Sequence, residues 1–245
     1  MQLSKRLLGV ADMVTAGNRL ADVGTDHGYI PVYLVKQGRI PRAIAMDVNK
    51  GPLKRAEKNI TMHAAAQYIE TRLSDGVLKL RPGEVDSIII AGMGGSLVIK
   101  ILTEGEAVCK SVDEIILQPQ SDVGKVRHYL REHGYQIIYE DMVLEDGKFY
   151  PMMKAVPVSV VNGQDLLTDS RNILPDDEVI YNRYGRCLLE HRNPVLRQFL
   201  TKEAAVFKKI YENIRFLNSP ETVARRKEIE QEMQYIEAAQ KYYEV

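Results

Sequence analysis

The chain has 245 residues, enough for one sizeable core and an appendage, and its 33 Lys and Arg balance 33 Asp and Glu, so any basic patch must be local. Two cysteines, Cys109 and Cys187, lie far apart without metal-ligand spacing, which excludes a disulfide framework and a zinc site. The start, Met-Gln-Leu-Ser-Lys-Arg, lacks a secretory apolar region and no apolar run approaches the roughly 20 residues that span a bilayer, so a cytoplasmic protein without membrane or metal is expected.

Helix and strand periods alternate up to about Pro157, the pattern of a parallel α/β sheet. Helices are predicted over Ser4 to Val14, Ile30 to Gln37, Lys50 to His63, Ser96 to Leu102 and Val123 to His133. Strands are predicted over Arg19 to Val23, Ala43 to Asp47, Ile69 to Leu73, Ser87 to Ala91, Glu114 to Gln118, Gln136 to Val143 and Phe149 to Ala155. The last two, joined by Glu145-Asp-Gly147-Lys, read as a hairpin at the sheet edge.

Three strand ends carry carboxylates. The first strand passes through Asp22 into Gly24-Thr-Asp26-His27-Gly28, where glycine permits a sharp bend and close approach of a ligand to the backbone. By itself this turn fits a steric αβ connection as well as a cofactor site. Asp47 ends the second strand, the position at which a carboxylate accepts ribose hydroxyl protons. Asp75-Gly76 follows the third; alone it reads as a plain turn, and third in the series it reads as a contact for an adenine amino group. The fourth strand opens into Gly92-Met93-Gly94-Gly95, predicted to be a flexible glycine turn at the floor of a pocket. No G-x-G-x-x-G is present, so a pyrophosphate cradle is missing and a nicotinamide dehydrogenase is disfavoured.

Beyond Pro157 the character changes. Residues Val158 to Asp177 read as loop, with Asn162-Gly163, Asp165 and Pro175, and two long helical patterns follow. Leu196, Leu200, Phe207, Ile210, Ile214 and Leu217 form one apolar seam, and Ile229, Met233, Ile236 and Tyr243 the other. Ser219-Pro220 supplies a cap and a first-turn proline between them, which predicts an antiparallel hairpin resembling a short coiled coil. The division is therefore expected at 1–157 and 158–245, with the hairpin either a packing or dimerisation element or a nucleic-acid arm.

The chain resembles the S-adenosylmethionine-dependent methyltransferases of the Rossmann-like class. Within that class it is similar to the bacterial tRNA adenine-N1 methyltransferases that modify position 22, the TrmK family. The residues that carry the likeness are Leu3-Ser-Lys-Arg6-Leu, Asp22-Val-Gly-Thr-Asp-His-Gly-Tyr-Ile-Pro31, Ala91-Gly-Met-Gly-Gly95 and Leu117-Gln-Pro119; Gln120 stands where the family pattern has Asn. The resemblance implies an α/β, doubly wound, mostly parallel seven-stranded sheet followed by the helical hairpin, with S-adenosylmethionine as cofactor and tRNA as partner. A monomer is favoured.

On this resemblance the cofactor contacts are Gly24, Asp26, Gly28, Asp47, Asp75, Gly76, Gly92 and Met93. The reacting base falls to Asp26, which would stabilise a cationic product, to His27 as acceptor of an amino proton, to Tyr29 as one wall for a flipped base, and to Gln118 as partner of the adenine amino group. Plain helix starts and strand ends are the alternative readings of Tyr29 and Gln118. Arg6 is the expected contact for the cofactor carboxylate or an RNA phosphate, and Arg183, Arg186 and Arg192 are the expected RNA contacts. Rival functions are methylation of another RNA base and a non-catalytic RNA-binding protein on the same fold.

Overall fold

The structure is a computed structural model that describes residues 1–158, 160–161, 164–165, 175–217 and 219–244. Five parallel strands form its centre: β1 (Leu20–Val23), β2 (Ala43–Asp47), β3 (Ile69–Leu73), β4 (Ser87–Gly94) and β5 (Glu114–Ser121). An antiparallel pair, β6 (Tyr135–Glu145) and β7 (Lys148–Pro157), completes a seven-stranded sheet of order β3-β2-β1-β4-β5-β7-β6. The sheet and its doubly wound character are as the resemblance implied.

The central strands are apolar on both sides because helices cover both faces. In β4, Ile88 and Ile90 point into one core with Val98 and Leu102 of α4 (Gly95–Glu104) and Val126 and Leu130 of α6 (Val123–Glu132). Ile89 points the opposite way, toward Val10 and Ala11 of α1 (Lys5–Asp12), Val32 and Leu34 of α2 (Tyr29–Lys36), and Ala56 and Ile60 of α3 (Lys50–Met62). The period of two thus assigns each isoleucine to a layer. Burying each such side chain contributes roughly 1.5–3 kcal/mol before entropy is counted.

Strand order reverses between β1 and β4, and in such sheets ligands bind in the crevice at the carboxyl ends of these strands. The turn between β6 and β7 has Asp146 at φ 50° and Gly147 at φ 75°, the primed conformation that a two-residue hairpin requires. Glu114, buried at the start of β5, accepts from Thr15 N and Oγ1, Ser87 Oγ and Lys154 Nζ, which fastens the end opposite the crevice.

One expected feature differs and one helix is additional. The glycine segment after Ala91 is not an open turn, because β4 continues to Gly94 with irregular pairing against Pro119 and Ser121 of β5. The short helix α5 (Glu106–Cys109) was absent from the apolar periodicity, being a single turn.

The chain divides into two compact units, Met1–Asn172 and Ile173–Val245. Most of the expected loop from 158 to 177, including Asn162-Gly163, lies outside the described residues. Its described parts are the two-residue strands β8 (Val160–Val161) and β9 (Gln164–Asp165) and the start of α7 (Pro175–Tyr184). In the second unit α7 and α8 (Arg186–Glu190) precede the hairpin of α9 (Pro194–Ile214) and α10 (Pro220–Gln240). Periodicity did not predict the first two, which are short and separated by Gly185 at φ 91°. Asn193 caps α9 by accepting from Val195 N and Leu196 N, and Ser219 caps α10 through Thr222 N, each followed by proline at the first helical turn.

Candidate active site

The carboxyl ends of β1 and β4 border a cleft of about 310 Å³ lined by Arg6, Asp22, Gly24, Asp26, His27, Gly28, Tyr29, Gly92 and Gln120, among others. The turn after β1 is held from β2, since Gly24 N and Thr25 N both donate to Met46 O at 2.8 Å. Gly24 has φ 76° and Gly92 φ 78°, so both lie in the left-handed region that glycine accepts without strain. A Cβ at Gly24 would overlap the methyl of Met93, and one at Gly92 would come within 3.5 Å of Arg6 Nη1. Gly24 therefore makes room for the Met93 side chain, while Gly92 leaves exposed backbone at the cleft beside Arg6.

Gly28, at φ 63°, is the N-cap of α2 and provides no side-chain cap; its own N–H donates to Thr25 Oγ1 at 3.1 Å. Beside it the His27 and Tyr29 rings stack, with centroids 4.9 Å apart and planes within 8°. Tyr29 is 40% exposed, so the pair presents aromatic surface to the cleft. Asn59 of α3 fixes the backbone there by donating to His27 O at 2.9 Å.

Asp26 is engaged from α3. Its Oδ1 accepts from Arg55 Nε at 2.8 Å and from the second guanidinium nitrogen, and its Oδ2 lies 3.4 Å from His27 Nε2. Asp22 is 7% exposed, and burial pushes its carboxyl up to about 6, against a lowering hydrogen bond with Thr25.

The remaining expected residues stand outside this cleft lining. Asp47 ends β2 and accepts from Asn49 N at 2.7 Å through Oδ1, starting α3. Val48, next to it, is an exposed apolar residue, as is Leu73, the partner of Asp47 across the β2–β3 pair. Asp75 lies 3.8 Å from Lys100 of α4, and Gly76, at φ 53°, is packed under Ile101 of the same helix. Gln118 is fully buried, and its Oε1 accepts from Arg6 Nη1 at 2.8 Å. Its side chain thus meets Arg6 and is not part of the cleft lining.

In the second unit Arg183 grips Glu232 with two hydrogen bonds of 2.5 and 2.7 Å and lies 4.4 Å from the centre of the Tyr235 ring. Arg186 donates to Glu190 at 2.7 Å. Arg192 is exposed, in the α8–α9 turn at φ 51°. Sequence reasoning assigned no role to Arg55, Asn59 or Gln120. Arg55 and Asn59 lie four apart on α3, a spacing that places them on one helix face, but nothing in the sequence says which loop that face meets.

A doubly wound sheet with a glycine-lined cleft at its strand-order reversal defines the class, and a methyltransferase-domain family model matches residues 3–153. The chain is 32% identical over 214 residues to the tRNA (adenine(22)-N(1))-methyltransferase of Bacillus subtilis, covering 87% of this chain and 86% of that one. The crystal structure of the B. subtilis M1A22 tRNA methyltransferase TrmK matches with a TM-score of 0.81 at 30% identity, over 97% of this chain and 98% of that chain. A Streptococcus pneumoniae protein solved in complex with S-adenosyl-L-methionine matches with a TM-score of 0.79 at 32% identity, over 97% and 99% of the two chains. The chain belongs to the tRNA (adenine(22)-N(1))-methyltransferase family.

Proposed function

We propose that this protein transfers a methyl group from S-adenosylmethionine to N1 of adenine 22 in tRNA, as a cytoplasmic enzyme that works as a monomer. The observation that carries the reading is the stacked His27–Tyr29 pair beside the left-handed glycines Gly24 and Gly92 in one cleft. A nucleoside cofactor fits there on this chain's own geometry: exposed Gly92 admits close approach, Asp47 Oδ2 is left for a ribose diol, and Val48 and Leu73 offer apolar surface at the neighbouring strand ends. Asp75 and Gly76 border the adenine end, Met93 covers Gly24, and Arg6 is the cation for an amino-acid carboxylate.

When bound, S-adenosylmethionine supplies an electrophilic methyl on a sulfonium. N1 of adenine has a free lone pair at neutral pH, so the protein needs no strong base before transfer. Its work is alignment and water exclusion, an effect worth up to roughly 7–11 kcal/mol in favourable cases. Tyr29, backed by His27, holds the flipped base by stacking. Gln120 has an exposed amide at the cleft and reads the base, because Gln118 is committed to Arg6. The methylated ring is cationic. His27 Nε2 takes up an amino proton, and Asp26 Oδ2, at 3.4 Å, balances the charge. Arg192 remains an RNA contact, whereas Arg183 and Arg186 serve inside the helical unit.

The test is methyl transfer to unmodified tRNA in vitro, with the modified base located by nucleoside mass spectrometry and a reverse-transcription stop. A stop at position 22 that vanishes on mutation of that adenine is expected. Methylation elsewhere, or none, overturns the assignment.

A further inference from the structure

The helical unit has balanced charge in total but not along its length. Residues 208–227, the free end of the hairpin, hold six Lys and Arg against two acidic residues, while the rest of 173–245 holds six against ten. Lys208, Lys209 and Lys227 are exposed and have no acidic partner among the described residues. At the same end Phe216 is 78% exposed and Leu217 52%. The Arg215 guanidinium sits 4.5 Å from the centre of the Phe216 ring, and Arg226 fixes the turn by donating to Leu217 O at 2.6 Å.

A protein gains nothing by leaving a phenylalanine in water at the tip of a capped hairpin. A bare aromatic ring with a guanidinium on one face, set among unpaired lysines, is instead the arrangement that binds single-stranded nucleic acid: the cations take phosphates and the ring takes a base. We propose that this hairpin tip is an RNA-docking surface on which Phe216 stacks against an unpaired nucleobase in a loop of the tRNA substrate, with Arg215 and the three lysines on the adjoining phosphates. The proposal rests on the reading of tRNA as substrate. It relocates the nucleic-acid contact within the helical unit from Arg183 and Arg186, whose charges Glu232 and Glu190 already answer, to the end where cations are in excess. Stacking is indifferent to base identity, so the tip contributes grip and register while the cleft chooses the atom.

The experiment is a tRNA titration of the full-length protein at several salt concentrations, paired with steady-state methyl transfer. Phe216→Ala is expected to raise the tRNA Kd and KM roughly tenfold with kcat, S-adenosylmethionine affinity and the salt slope unchanged, and Phe216→Trp to restore them. Lys208→Glu with Lys227→Glu is expected to weaken binding and flatten the salt slope by about 0.7–0.9 for each phosphate no longer neutralised. Wild-type tRNA affinity in both the Phe216→Ala and the double-lysine variant, in a protein that methylates tRNA, overturns the tip proposal alone. A wild-type protein that fails to methylate tRNA overturns the substrate reading and the tip proposal with it.

Discussion

Arg6 Nη1 donates to Gln118 Oε1 at 2.8 Å, joining residues 112 positions apart. Gln118 is completely buried in β5 while Arg6 reaches the cleft from α1, with its guanidinium 5.6 Å from the Tyr150 ring of β7. Three elements thereby aim one cation.

A hydrogen bond to a charged group is worth about 1.5–3 kcal/mol, and its loss frees Arg6 to sample water. Arg6→Ala and Gln118→Leu are expected each to weaken S-adenosylmethionine binding about tenfold, with the double variant no worse than Arg6→Ala. Calorimetric titration of the four proteins measures that coupling. Additive losses would mean that Gln118 contributes on its own.

Gly24 and Met93 occupy one space. Gly24→Ala adds a Cβ into the Met93 methyl at a left-handed φ of 76°, where a side chain alone costs roughly 1–2 kcal/mol. The expected result is lower stability and a cofactor Kd raised more than tenfold, with Gly24→Ala/Met93→Ala recovering stability more than affinity. Asp47 gives a cleaner separation. Asp47→Asn keeps the acceptor for Asn49 N that starts α3, so melting is unchanged while affinity falls. Equal loss of both would make Asp47 a helix-start residue only.

Much of the cofactor half of the molecule is legible in its residues alone. Strand ends at Val23 and Asp47 follow from apolar runs that meet Gly24 and a carboxylate, that at Leu73 follows from the Ser74-Asp75-Gly76 turn, and Ser219-Pro220 announces α10 by capping chemistry. Local pattern failed where a third element decides. The Gly92-Met93-Gly94 segment reads as a turn, yet pairing with β5 keeps it in the sheet. Gln118 reads as a strand-end polar group facing ligand, and only the fold brings Arg6 to its amide. Arg183 reads as a free cation until α10 returns with Glu232. Charge segregation along the hairpin was in the sequence, but totals over the whole segment hid it.

Asp22 couples the cleft to pH. Burial raises its carboxyl to about 6 from an ordinary 3.8, so the folded state holds the proton more tightly than the unfolded chain. The stability this contributes is present below about pH 4 and is lost as pH rises to about 6, a change on the order of 2–3 kcal/mol. Asp22→Asn should therefore melt higher than the wild type at pH 7 and alike at pH 4. The ionised carboxylate favours a cationic ligand, so wild-type S-adenosylmethionine affinity should fall between pH 7 and 5 and that of Asp22→Asn should be weak and flat. A pH-independent wild-type Kd would remove Asp22 from the binding site.

Arg183 separates stability from RNA binding in the helical unit. It is bidentate on Glu232 and stacked by Tyr235, and the Glu203 carboxyl stands within the influence of both charges. Burial first and the Glu232 charge second push the Glu203 carboxyl up to about 7, with Arg183 opposing them. The folded form thus favours protonated Glu203, and its contribution is complete below about pH 4.5 and lost as pH rises to about 7. Arg183→Glu removes the opposing cation and places a third carboxylate in the cluster. It should cost about 1–2 kcal/mol at neutral pH, with a melting temperature that drops more steeply than the wild type's between pH 6 and 8. Because Glu232 already occupies this guanidinium, tRNA affinity measured well below the melting temperature should stay near wild type, with the same salt slope. A flattened slope with unchanged stability would return Arg183 to the phosphate-binding surface.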